Sequence, residues 1–194
     1  MKRSLAILSL WWLTALPLPT ALAAPVPEEQ RIPVDLRRTT LVVRDIERSL
    51  PLYRDTLGMR VIYDETLGGT PATIRLVLLR ANDNFIGVLG LMQRLNLTEA
   101  PPPPQFRRAA PGEIILVFNV QDLETRFEHL RSTPGVRIAE TPRRIDYPGP
   151  NGTSIPVLFS AVWDADGHFV ELNRLLGTPA GVTRPASALS SESP

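Results

Sequence analysis

A chain of 194 residues, 43% of them hydrophobic, is long enough to bury one sizeable core or two half-domains that share one. The complete absence of cysteine excludes thiolate catalysis, a disulfide framework and a lipid-modified cysteine anchor together. A formal net charge of +1, which becomes −1 without Lys2 and Arg3, carries none of the basic excess of a nucleic-acid binder.

Residues 1–23 have a basic start, an apolar run from Leu5 to Leu18 and the small-x-small end Ala21, Leu22, Ala23. This is the pattern of a cleavable signal peptide, so the expected location is periplasmic or secreted. The run is short and interrupted by Pro17, which argues against a span and against stable membrane insertion after leader removal; an uncleaved anchor is the alternative. Residues 24–35, rich in Pro and Glu, read as an exposed linker.

The periodic part begins at residue 36. Thr39 to Arg44 alternates, with Leu41 and Val43 on one face of a strand and Arg38, Thr40 and Val42 on the other. Asp45 is a helix N-cap, Ile46, Leu50, Tyr53 and Leu57 form a buried stripe, Pro51 should kink the helix, and Gly58 ends it. Met59–Tyr63, Thr73–Arg80 and Phe85–Met92 read as three strands separated by turns at Gly68, Gly69 and Pro71 and at Asn82–Asn84. The order over about 36–95 is βαβββ.

Residues 96–112, with four consecutive prolines from Pro101 to Pro104, form a semi-rigid connection. The pattern then restarts over about 113–176. Glu113–Val120 is a strand, Asp122 caps a helix bearing Leu123, Phe127 and Leu130, and Val136–Ala139 is the next strand. Thr141–Ser154, rich in Pro and Gly, reads as a long loop. Ile155–Trp163 and Phe169–Arg174 close the unit as a hairpin around Asp164–Gly167, residues that tolerate left-handed backbone. Residues 177–194, rich in Pro, Ser and Ala, read as a disordered tail.

Adding 77 to each number carries Arg38–Gly58 onto Ile115–Gly135, with the same apolar alternation, the same Asp before the helix (Asp45, Asp122) and the same Gly after it. That period is too long for a solenoid repeat, so it marks two copies of one half-domain. TTLVVRDIERSLPLYRDTLG at the opening and WDADGHFVELNR at the close resemble the vicinal oxygen chelate superfamily, the group of glyoxalases, bleomycin resistance proteins and extradiol dioxygenases. The resemblance implies an α+β fold over 36–176. Two βαβββ units would form it, with curved mixed sheets making a cup for a small molecule.

In metal-dependent members of that family, up to four His, Glu or Gln ligands sit on the cup-facing side of the first and last strands of each unit. Carried over, these positions are Arg38, Gly90, Ile115 and Glu171. A guanidinium has no lone pair to offer, and only Glu171 keeps a ligand type, whereas a transition metal normally needs three or four. His168 lies three residues from Glu171, on the opposite face, and reads as a surface hairpin residue; His129 lies off its helix's apolar stripe. Glu113 shares a face with Ile115.

The expectation is therefore no metal cofactor, with a divalent metal as the alternative. Arg38 and Glu171 are the catalytic candidates, expected to pair across the cup as guanidinium and acceptor or general base. Thr40, Gly90, Ile115, Asn119, Phe169 and Asn173 complete the candidate ligand-binding set, and Val42, Val88, Met92 and Val117 form an apolar wall. The function so implied is an exported protein that binds or transforms a small organic molecule. A metal-dependent lyase, isomerase or dioxygenase and a sequestering protein without turnover are the alternatives. A cup within one chain and a cup shared in a homodimer both stay open.

Overall fold

The alternation of Arg38–Val43 becomes strand β1, with Leu41 and Val43 buried and Arg38 and Val42 exposed. The structure, a computed structural model, describes residues 28–69, 72–97, 100–107, 110–149 and 152–177. The leader of residues 1–23 and the tail after Gly177 lie outside the described residues. Residues 31–37 are exposed, as expected of a linker, and no helix among the described residues is long and apolar enough to cross a membrane.

Asp45 takes an extended backbone and its carboxylate accepts the Glu47 N–H at 2.9 Å, which starts α1 (Ile46–Leu50). Pro51 has no N–H with which to continue the ladder. The expected kink is realised as a π-helical turn over Pro51–Thr56, closed by the Leu57 N–H donating to the Leu52 carbonyl at 2.9 Å. β2 (Arg60–Gly69), β3 (Ala72–Arg80) and β4 (Val88–Arg94) follow, and the sheet order is β1-β4-β3-β2 with β1 parallel to β4. β4 starts later than Phe85 because the Asp83 carboxylate accepts the N–H groups of Phe85 and Ile86 and holds them in a turn.

The second unit repeats this order with β5 (Leu116–Asn119), α2 (Leu123–Leu130), β6 (Arg137–Pro148), β7 (Ser154–Trp163) and β8 (Phe169–Leu175), arranged β5-β8-β7-β6. Three expectations need correction. β5 is shorter than the expected Glu113–Val120: Glu113, Ile114, Ile115 and Val120 fall outside it, and Arg107 and the Ala110 N–H hold the Glu113 carboxylate away from the strand. Asp122 does not cap α2 with its side chain, which Arg126 engages at 2.7 Å. Thr141–Pro148, read as loop, is strand: the bulge after Glu140 absorbs Thr141 and Pro142, as the one before it absorbs Ala139, and the pairing with β7 resumes at Arg143.

Both sheets turn one face to a core shared by the two units. Ile46, Leu50 and Tyr53 and their repeat counterparts Leu123, Phe127 and Leu130 are all 3% exposed or less, and Leu41, Val77, Leu91, Val162, Val170 and Leu172 pack with them. Thr56 Oγ1 lies 2.8 Å from Thr133 Oγ1, a residue bonded to its own counterpart 77 positions on, as at a local two-fold axis. Residues 40–42 share a cleft with 113–114, and Arg38 and Thr39 share another with 116–118. β1 and β5 thus pass in opposite directions without hydrogen bonding, and the result is two four-stranded mixed sheets, not one closed barrel.

Candidate functional site

The strand register of the second sheet fixes which side chains share its open face. Glu140, Ala161, Glu171 and Val117 lie in one cross-strand row; Arg143, Phe159, Asn173 and Asn119 lie in the next; Arg137, Trp163 and Phe169 lie in a third. Ala161 is small and fully buried, so the sheet is hollow beside Glu171. A cavity of about 420 Å³ opens there, and Ile115, Glu140, Arg143, Phe159, Trp163, Phe169 and Glu171 are among its walls. The Arg143 guanidinium carbon sits 5.2 Å from the centre of the Phe159 ring and its Nε 3.7 Å from the Glu140 carboxylate. Trp163 meets Phe169 edge to face at 5.9 Å, and its indole N–H donates to the Arg107 carbonyl at 3.0 Å.

Of the residues singled out from sequence, this cavity brings together Ile115, Phe169 and Glu171. Asn173 stands beside them and donates to the Glu171 carboxylate at 3.3 Å, while its own Oδ1 is buried with no partner. Arg38 is elsewhere. It is exposed at the start of β1, in the cleft against Leu116–Phe118, and makes no ion pair with Glu171, so the expected pair is not formed. Arg38 lines its cleft with Val117, which is itself the cross-strand partner of Glu171, so β5 stands between the two side chains. Gly90 is buried beneath Thr40, whose Oγ1 would lie 2.6 Å from a Cβ added there, and offers no ligand surface. Asn119 is exposed at the end of β5. Thr40 faces a different cleft, with Gln105, Glu113 and His168.

Arg143, Phe159, Trp163 and Glu140 were not singled out from sequence. Period-2 spacing across the β7–β8 hairpin links Phe159 and Trp163 to Phe169 and Glu171, so those two carried a signal. Arg143 carried none, because its position depends on the bulges that flank Glu140.

His168 also departs from its surface reading. Its ring Nδ1 is 2.9 Å from Asp164 Oδ2, which also accepts the Tyr53 hydroxyl at 2.8 Å; Asp164 Oδ1 accepts the N–H groups of Asp166 and His168. Asp164 and Tyr53 are fully buried and the His168 side chain is 29% exposed. Burial alone would lower the His168 pKa, but the bond to Asp164 and its charge outweigh burial and raise it above 6.5. Burial likewise pushes Asp164 up, yet His168 and Tyr53 together hold it below 3.8. Burial, then the charge of Asp164, drives the Tyr53 phenol well above 10.0. His129 is exposed on α2, as expected.

Among the described residues, no group of three or more His, Asp or Glu side chains comes together that could hold a metal ion. The residues at the family's ligand positions do not fit one: a guanidinium, a glycine, an isoleucine and a single carboxylate, whose hydrogen-bond partner is an amide.

Comparison with known proteins agrees with this architecture. The model of the Glyoxalase/Bleomycin resistance protein/Dioxygenase superfamily matches residues 35–172. A glyoxalase family protein from Bacillus cereus superposes with a TM-score of 0.61 at 12% identity, over 81% of this chain and all of that one, a likeness of fold. The trypanothione-dependent glyoxalase I of Leishmania major is 22% identical, with a TM-score of 0.49 over 73% of this chain and 86% of its own. An antibiotic-binding protein from a Streptomyces species is 17% identical, with a TM-score of 0.49 over 75% of this chain and 99% of its own. No curated protein matches the chain.

Proposed function

Since the chain belongs to the Glyoxalase/Bleomycin resistance protein/Dioxygenase superfamily, we propose that it is an exported, metal-independent member that binds a small organic molecule on the open face of its second sheet. The observation that carries this reading is the cavity at Glu171, where two carboxylates, Glu140 and Glu171, one guanidinium and three aromatic rings converge. A ligand with a flat apolar body would lie against Phe159, Trp163 and Phe169. Its hydrogen-bond donor or acidic C–H would meet Glu171, as acceptor or general base, and an oxygen would meet Arg143. Export is supported by the leader pattern of residues 1–23. Metal independence is supported by the donor chemistry at Arg38, Gly90, Ile115 and Glu171.

The test is a thermal-shift screen of phenols, carboxylates and fatty acids against the wild type, Glu171→Gln and Arg143→Ala. A ligand at about 100 times its Kd adds about 2.7 kcal/mol to the native state. The expected hit stabilises the wild type and fails to stabilise either variant. A panel in which every hit stabilises all three alike removes the site. Elemental analysis of the purified protein checks the metal independently, and near-stoichiometric zinc, iron, manganese or nickel overturns that half of the reading.

A further inference from the structure

Away from the Glu171 cavity, the proline-rich connector passes the end of β1 and the Asp164–His168 hairpin and forms one wall of a second, open cavity of about 580 Å³. Its polar lining includes Arg94, Asp166 and His168, and its apolar lining includes Val42, Leu97 and Pro101 to Pro103. His168 also borders the adjoining cleft of about 560 Å³ with Gln105, Arg107 and Glu113.

The charges that face His168 can be assigned one to one. Asp164 is answered by His168 itself at 2.9 Å, Asp166 by Arg44 at 2.7 Å, and Glu113 by Arg107 at 2.6 Å. Tyr53 reaches Asp164 from beneath as a neutral donor. Arg94, the last residue of β4, is left over: among the described residues its side chain has no ion pair and no hydrogen bond. The outward Nε2 of His168 also has no protein partner, and unlike Asn173 Oδ1 it is not sealed from solvent. Because Asp164 fixes the ring through Nδ1, Nε2 has a set direction, and a protonated ring presents an N–H there.

We propose that this connector-walled cavity is a second binding site, for small monocarboxylates with an apolar body. His168 Nε2 and Arg94 would receive the carboxylate, and Val42, Leu97 and the connector prolines would cover the rest. A carboxylate fits because the site has one uncompensated cation and, on the protonated ring, one N–H donor of fixed direction, each able to form a charge-assisted hydrogen bond. The apolar body fits because the remaining walls are aliphatic.

The chain contains two histidines, so imidazole nitrogen spectra of the full-length protein, assigned with His129→Gln, isolate the His168 signals. The probes are benzoate and hexanoate, with benzamide and hexanamide as uncharged matches of the same shape. Each carboxylate is expected to shift the His168 signals and raise the pH at which the ring loses its proton, while the amides do neither. Arg94→Gln, an exposed change that leaves the Asp164 network intact, is expected to weaken carboxylate binding roughly tenfold. Glu171→Gln is expected to leave it unchanged, which separates this site from the one at Glu171. The proposal is overturned if the carboxylates leave the His168 signals unmoved, if the amides act equally, or if Glu171→Gln and not Arg94→Gln abolishes the response.

Discussion

Asp164 is a carboxylate with no exposed surface, and the fold keeps it charged by surrounding it with the Tyr53 hydroxyl, the His168 ring and two backbone N–H groups. Stability should therefore depend on pH through both partners. His168 titrates above 6.5 in the fold, so its contribution is complete below about 6.5 and is lost as pH rises through the folded value. Asp164 titrates below 3.8, so its contribution is complete above about 3.8 and is lost as pH falls through its folded value. Urea midpoints across pH 5–9 should show the wild type's advantage over His168→Gln shrinking toward the alkaline end; a gap that stays constant over that range contradicts the linkage. Tyr53→Phe leaves one carboxylate oxygen short of a donor in the core. It should cost about 1.5–3 kcal/mol at neutral pH, the range for hydrogen bonds to charged groups, in the same urea titrations.

The β7–β8 hairpin joins elements that are far apart in sequence. Arg44 from the end of β1 binds Asp166 at 2.7 Å and the Ala165 carbonyl at 2.7 Å, and reaches the connector at the Pro102 carbonyl. Gly167 at the tip has φ +89°, and a Cβ there would lie 2.5 Å from the Gln105 carbonyl oxygen. Gly167→Ala should strain the turn and lift the connector, at a cost of roughly 1–3 kcal/mol. Limited trypsinolysis should then cut after Arg107 faster than in the wild type, and an unchanged rate would show that the connector does not depend on this contact. Period and turn residues made the hairpin, both helices and the βαβββ succession along the chain legible, because each is dictated by neighbours within a few residues. What stayed hidden depends on distant partners. Residues 141–148 looked like loop because prolines end strands unless a bulge accommodates them. Arg38 was set against Glu171 by the ligand positions of the family it resembles, and nothing local in the sequence shows that β5 stands between the two side chains. His168 looked superficial because nothing local announces the buried carboxylate that holds it.

At the scale of the whole molecule, the 77-residue repeat yields two units that are not independent. The two units meet at their helices and share one core: Tyr53 of the first lies 6.4 Å from Phe118 of the second, ring centre to ring centre, and the Arg126 guanidinium of the second donates to the Thr56 carbonyl of the first at 2.6 Å. Neither unit has a closed core without its partner, so residues 36–176 should unfold as one cooperative body. Phe127, 1% exposed on α2, is the probe of that coupling. Phe127→Ala removes a large side chain from the core that the units share and should cost about 3–5 kcal/mol. If the units are one body, the loss appears in both. Amide exchange at Val77 and Leu79 of β3, in the unit that was not mutated, should accelerate by the same factor as at Val170 and Leu172 of β8. The urea transition should remain single with an unchanged slope. Faster exchange confined to β5–β8, or a transition that splits in two, would show that the first unit stands alone and that the shared core is a contact between finished halves.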